Sequence, residues 1–403
     1  MQTFIDTEPR LPQRKHDSMT KPALGYWPAR LLARFANEVR VFLTPGTRMV
    51  DELECVVSVL FAIGLGHLVG AQNISWAAFS GYMVMRGHVA ESLSRGIRRI
   101  IGTAVGTGLA LALVPWVEAA PVLAALALMA VGGVTLYRSL AGRHAYAWLF
   151  VGLTFVMILL DKMQRPEDML STFAKTRMLE VLAGTGACVL VSMISTLTLR
   201  RRWPAPSRRV VEQLGWHPGA ARHAGQAAVA LLFLPFLIRL WHGPDYVQSA
   251  VTIMAVMLVP IMSIGDSGLI PVSRRIVLRV AGCTAGAALA AVFLLLAHSL
   301  PSAGVMAPVL IAGMVLGVAI GRHIENSLTS IAYGGTQFVL VILVTLVPDS
   351  YAAAHLAPAL ERLGGIAIGI VLLEPVLVIW HIVAPARRVR DPKGEDPMEP
   401  GGV

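Results

Sequence analysis

Charge is scarce in this 403-residue chain. Only 14% of its residues are Asp, Glu, Lys or Arg, against about 25% in a typical soluble domain. Apolar residues make up 55%, and the mean hydropathy is +0.66. That balance excludes an ordinary soluble fold. Cysteine is nearly absent: Cys55, Cys188 and Cys283 lie in or beside apolar segments, at spacings that fit neither a disulfide framework nor a metal site. No apolar core with a small-residue cleavage site occurs in the polar first 50 residues, so a cleaved signal peptide is not expected and the first spanning helix serves as the insertion signal. The glycine-rich run Gly102 to Gly108 lacks the Lys-Ser/Thr and the preceding strand of a phosphate-binding loop. Transport, if performed, therefore draws on a gradient rather than on ATP bound here. No acid–base pair, nucleophile constellation or metal cluster stands at useful spacing. Neither an enzyme, a cofactor nor a metal is expected.

What is present is a series of apolar runs approaching the ~20 residues that span a bilayer. They fall at about 53–71, 74–86, 97–116, 121–137, 145–160 and 178–199, then at about 224–241, 246–262, 276–298, 304–321, 327–347 and 362–383. The reading is an all-α polytopic membrane protein with about twelve transmembrane helices, six in each half. The short second run is the weakest of them. The net charge of +10 then reports topology, not nucleic acid. With the N-terminus inside and alternating crossings, 28 of the 34 basic residues fall on the cytoplasmic side. This favours both termini inside. The expected organisation is a cytoplasmic N-terminal segment (1–50), a first membrane half (51–200), a basic, proline-rich linker (201–223), a second half (224–385) and a cytoplasmic tail (386–403). Within the first segment, Leu31, Leu32, Phe35, Val39 and Phe42 recur at helical spacing, which suits an amphipathic helix at the inner interface.

The two halves share a pattern. Arg95, Arg99, Gly102 and Gly106 recur as Arg275, Arg279, Gly282 and Gly286. Spacings of three and four residues place all four positions near one helical face. The arginines stand at the mouth of an apolar segment, and the glycines permit close helix packing within it. Arg177 and Gly184 likewise match Arg362 and Gly369. An even number of helices per half makes these parallel repeats.

Together the short apolar run Trp76 to Met85, the polar loop after it and the R-x-x-x-R-x-x-G-T-x-x-G stretch from Arg95 to Gly106 resemble the fusaric acid resistance family, which includes aromatic acid exporters of bacterial inner membranes. The second copy departs from the pattern, with Cys283 in place of the threonine. Larger members carry a sizeable cytoplasmic domain, often between the halves, where this chain has only the linker. The resemblance implies secondary export of aromatic carboxylic acids or related toxic anions across the inner membrane, often with a periplasmic adaptor subunit.

Candidate site residues follow from chemistry. Arg95, Arg99, Arg275 and Arg279 either anchor cytoplasmic helix ends to lipid phosphates or line a vestibule that concentrates anions. An aromatic anion needs rings to stack on and hydrogen-bond donors. Trp76 and Tyr82 in the second run, Tyr146 in the fifth, and Tyr333 and Gln337 in the eleventh offer them, unless they are belt residues or bond their own helices. Ionisable groups within spans are functional candidates by default. Glu374, Glu180 and His67 are candidates for proton coupling, Glu180 with Arg177 as a simple ion-pair partner. Gly102, Gly106, Gly282 and Gly286 read as helix-packing residues. Two rival functions remain: an anion channel of related architecture, and a membrane assembly or lipid-handling protein without flux.

Overall fold

The computed structural model describes residues 37–206, 215–241, 245–265, 267–300, 303–327 and 330–383. The amphipathic segment lies outside the described residues up to position 36; residues 37–42 are helical. The tail after 383 is also outside them. Two compact units separate at Thr44, and everything below concerns the unit beginning at Pro45.

That unit is helical throughout its described residues, with no strand among them. We label its principal helices α1 (Thr47–Leu68), α2 (Ile74–Val84), α3 (Val89–Val117), α4 (Pro121–Ala141), α5 (Ala145–Gln164) and α6 (Leu170–Leu197). There follow α7 (Pro218–Leu240, interrupted at Phe233), α8 (Tyr246–Val256), α9 (Leu269–Ser299), α10 (Ala303–Asn326), α11 (Ala332–Leu346) and α12 (Ala357–Val383). Each apolar run read from the sequence coincides with one of these. Eight of them, α3, α4, α5, α6, α7, α9, α10 and α12, are long and apolar enough to cross a membrane. The other four differ from a simple spanning helix for identifiable reasons. Asp51, Glu52 and Glu54 occupy the first turns of α1. At about 1.5 Å of rise per residue, the 11-residue α2 and α8 reach only about half of a ~30 Å hydrocarbon core. The 15-residue α11 also falls short.

Two boundaries move by a functionally important amount. The apolar run expected to begin near 97 starts as a helix at Val89, and its counterpart expected near 276 starts at Leu269. The polar turns Glu91 to Arg95 hide the true start from a hydropathy reading. The arginines, at the start of the apolar run, are therefore inside a longer helix. Arg99 and Arg279 sit ten residues into their helices, 3% and 1% exposed.

The packing partners correspond between halves. Helix α3 packs on α5 and α6, as α9 packs on α11 and α12; α2 packs on α6 as α8 packs on α12. Across the halves, α1 lies against α10 and α7 against α4, while α2 meets α11 and α8 meets α5. The glycines make the close approaches possible. A Cβ on Gly102 would stand 2.4 Å from the Ala147 carbonyl oxygen, and one on Gly282 2.4 Å from that of Gly334. Gly106 and Gly286 repeat this against Val151 and Phe338, each at 2.6 Å. Opposite faces of α3 expose Leu93, Ile97, Ile101 and Val105, as a lipid-facing surface requires.

Gly102→Ala and Gly282→Ala should each lower the unfolding temperature. Overpacking against backbone costs about 1–3 kcal/mol, more than the ~1 kcal/mol that alanine gains over glycine in a helix. Gly108→Ala, with nothing within 4 Å of the new methyl, should be neutral or stabilising. Thermal unfolding of the detergent-purified variants checks this contrast.

Candidate functional site

Arginines inside an apolar bundle must find partners, because an isolated buried charge is prohibitively expensive. In the first half the partners are largely aromatic. Arg95 lies over the Tyr146 ring at 3.9 Å and donates from Nε to the Met83 carbonyl oxygen at 3.0 Å. Arg99 lies over the Phe150 ring at 4.1 Å and donates to the Tyr146 hydroxyl at 3.4 Å. Arg177, seven residues into α6, lies over Trp76 at 4.0 Å and over Phe173 at 4.8 Å. It pairs with the fully buried Glu180 at 3.0 Å. Such cation–π contacts contribute about 0.5–2 kcal/mol each, so they hold the guanidiniums without neutralising them.

These groups enclose a cavity of about 60 Å³ lined by Trp76, Arg99, Thr103, Phe150, Thr154, Phe173, Arg177 and Glu180, with aliphatic residues of α5 and Val251 of α8. Two cations, one carboxylate, three aromatic rings and two hydroxyls thus meet inside the bundle. The Nε of Arg99, the Nε of Arg177 and the hydroxyl of Thr103 are buried with no hydrogen-bond partner among the described residues. Chemically the arrangement offers charged donors to a carboxylate beside aromatic walls.

The candidates read from the sequence divide among several places. Arg99, Trp76 and Glu180 meet at this cavity, with Arg95 and Tyr146 adjoining it through Arg99. Arg275, Arg279, Tyr333 and Gln337 gather in the second half: Arg275 lies over Tyr333 at 4.0 Å, and Arg279 donates to Gln337 Oε1 at 2.7 Å and to the Tyr333 hydroxyl at 3.4 Å. Glu374 instead accepts from Ser273 at 2.8 Å, near the start of α9. His67 is exposed in the last turn of α1. Tyr246 is 1% exposed, and its hydroxyl donates to the Trp241 carbonyl oxygen at 2.8 Å. Arg239 is held by the Ala119 carbonyl oxygen at 3.1 Å, whereas Asp245 caps α8.

Tyr82 belongs to a different assembly, which sequence reasoning missed. Its hydroxyl donates to Glu325 at 2.5 Å. Glu325 pairs with Arg322 at 3.2 Å, and Arg322 with Asp51 at 2.6 Å. Arg200 bridges Asp51 at 3.1 Å and Glu54 at 2.5 Å, and Ser195 also donates to Glu54. Glu52 meets His323 at 2.7 Å. This buried network joins the start of α1 to the end of α10 and to the short turn after α6. It borders a cavity of about 320 Å³ whose walls include Arg48, Arg86, Glu91 and Asn326. Burial works against the charge on Arg200, yet its hydrogen bonds to Glu54 and the charges of Glu54 and Asp51 raise its pKa above the ordinary value. The only signal in the sequence was three acids in the first turns of an otherwise apolar helix.

Comparison with known proteins bears on the first of these sites. Residues 61–191 match the family described as fusaric acid resistance protein-like. That stretch contains Trp76, Arg99, Phe150, Phe173, Arg177 and Glu180. No curated protein and no solved structure gives a match.

Arg200→Met should destabilise the protein by about 3–5 kcal/mol, because it leaves Glu54 buried without its cation and Asp51 with Arg322 alone. Arg201→Met, at an exposed neighbour, should cost little. Thermal unfolding of the two variants side by side tests this.

Proposed function

We propose, from the premise that residues 61–191 carry the fusaric acid resistance-like unit, that this chain exports aromatic carboxylates or similar organic anions across the bacterial inner membrane. That match and the eight spanning-length apolar helices support a multi-pass membrane transporter. The finer reading rests on one observation: Arg99 and Arg177 converge with Trp76, Phe150 and Phe173 on one buried cavity. In this reading the chain crosses the membrane twelve times as two parallel six-helix repeats, with both termini inside. The short α2 and α8 occupy matched positions, which supports a binding site at mid-depth. A periplasmic adaptor is the partner the function would call for.

The pairing of Arg177 with Glu180 suggests how a gradient couples to export. Substrate carboxylate and Glu180 compete for one guanidinium. Protonation of Glu180 releases Arg177 to the substrate, and deprotonation restores the 3.0 Å pair and expels it. A proton and a substrate anion are then bound together and released together at one site. Glu180 carries this role better than Glu374 or His67, which lie away from the cavity. Arg95 and Arg275 would serve the anion's path, with Tyr146 and Tyr333 positioning them.

Arg99→Gln should raise the KM for an aromatic carboxylate by about tenfold to a hundredfold, as expected for losing a hydrogen bond from a charged group, with little change in kcat. Initial-rate flux in inverted vesicles, normalised to protein level, measures it; an unchanged KM would remove Arg99 from the site. Glu180→Gln should leave substrate binding intact but abolish the response of flux to an imposed pH gradient, which the same vesicles report.

A further inference from the structure

The two halves treat their buried arginines differently. Around the first-half cavity, Trp76 stands beside Arg177, Phe150 beside Arg99, and Glu180 neutralises Arg177. The matched positions of the second half are fixed by the glycine contacts. Gly184 meets Ala77 and Ser80 as Gly369 meets Ser249 and Thr252. Gly102 meets Ala147 and Phe150 as Gly282 meets Gly334 and Gln337. Trp76 therefore corresponds to Gln248, Phe150 to Gln337, Arg177 to Arg362, and Glu180 to Gly365. Both rings have become amides, and the carboxylate has been lost.

The consequence is a pair of buried cations with no carboxylate in direct contact; Asp245 acts on Arg362 only from a distance. Arg279 is 1% exposed and Arg362 3%. Arg279 donates to Gln337 Oε1 at 2.7 Å, and Arg362 to Gln248 Oε1 at 2.9 Å. The two guanidiniums act on each other electrostatically, as their counterparts Arg99 and Arg177 do at one cavity. Neither makes an ion pair with Asp or Glu among the described residues. Nε and Nη2 of Arg279 and Nε of Arg362 are buried without an acceptor. Neutral amides satisfy some of the donors but none of the charge, and a guanidinium buried without a paired carboxylate is costly. The glutamines stand where rings stand in the first half, so the groups around the guanidiniums suit a compact ion rather than an aromatic acid.

We infer that Arg279 and Arg362, held by Gln337 and Gln248, form a binding site for a small inorganic monovalent anion of halide size. The site is separate from the aromatic-lined cavity and stands whether or not that cavity exports aromatic acids. It gives the second half a bound counter-ion in the place where the first half has Glu180.

The experiment compares thermal unfolding of the full-length protein in chloride or bromide with that in gluconate, an anion too large for the site, at constant ionic strength. The wild type should gain several degrees, saturating with halide concentration as ligand linkage requires. Gln337→Glu and Gln248→Glu each install an internal carboxylate of nearly the same shape beside one guanidinium. Each should raise the unfolding temperature in gluconate towards the wild-type value in halide and flatten the halide response. Anomalous scattering from a bromide-soaked crystal should place the ion between Arg279 and Arg362. Equal stability of the wild type in halide and gluconate would overturn the proposal. So would a wild-type halide response in both glutamate variants, or bromide located elsewhere.

Discussion

Charge in a low-dielectric interior has to be answered, and the rest of this structure depends on how that is done. A guanidinium buried in a helical bundle can lie over rings, pair with a carboxylate, or draw in an anion. All three occur. Arg95, Arg99 and Arg275 use tyrosine and phenylalanine rings. Arg177 adds Glu180. Arg200 and Arg322 share Asp51 between them. The helices are brought close enough for these contacts by glycines whose missing Cβ atoms would collide with the backbone of the neighbouring helix.

The two halves show how one geometry takes on different chemistry. The positions are matched, and the guanidinium–tyrosine contacts are nearly superimposable in distance: 3.9 and 4.0 Å for the stacked pairs, 3.4 Å for both hydroxyl bonds. Substitution of two rings by two glutamines and of one acid by a glycine alters what can bind without altering how the helices pack. Between the halves, the network from Glu54 through Arg200 and Asp51 to Arg322 fastens α1 to α10. A transporter that alternates access must work such a contact, since it ties elements of both halves together.

Much of this was legible in the sequence because its signals are local. The arginine–glycine spacing, the apolar runs and the aromatic character of Trp76 and Tyr146 survive in the fold. What was not legible depends on distance along the chain. Asp51 and Arg322 are separated by 271 positions, and no periodicity announces their pairing. The apolar run expected to begin at 178 hides that α6 extends back to Leu170 and places Arg177 seven residues inside it. The same effect drew Arg99 and Arg279 away from the surface. Hydropathy finds where a helix is greasy, whereas hydrogen bonding and partner helices decide where it begins.

Flux of an aromatic carboxylate in proteoliposomes, with and without an imposed proton gradient, tests the central claim most directly. The account predicts saturable movement of the labelled acid that accelerates with the gradient and is competed by other aromatic carboxylates. A current carried equally by aromatic and inorganic anions, and indifferent to the gradient, would contradict it and make the protein a channel.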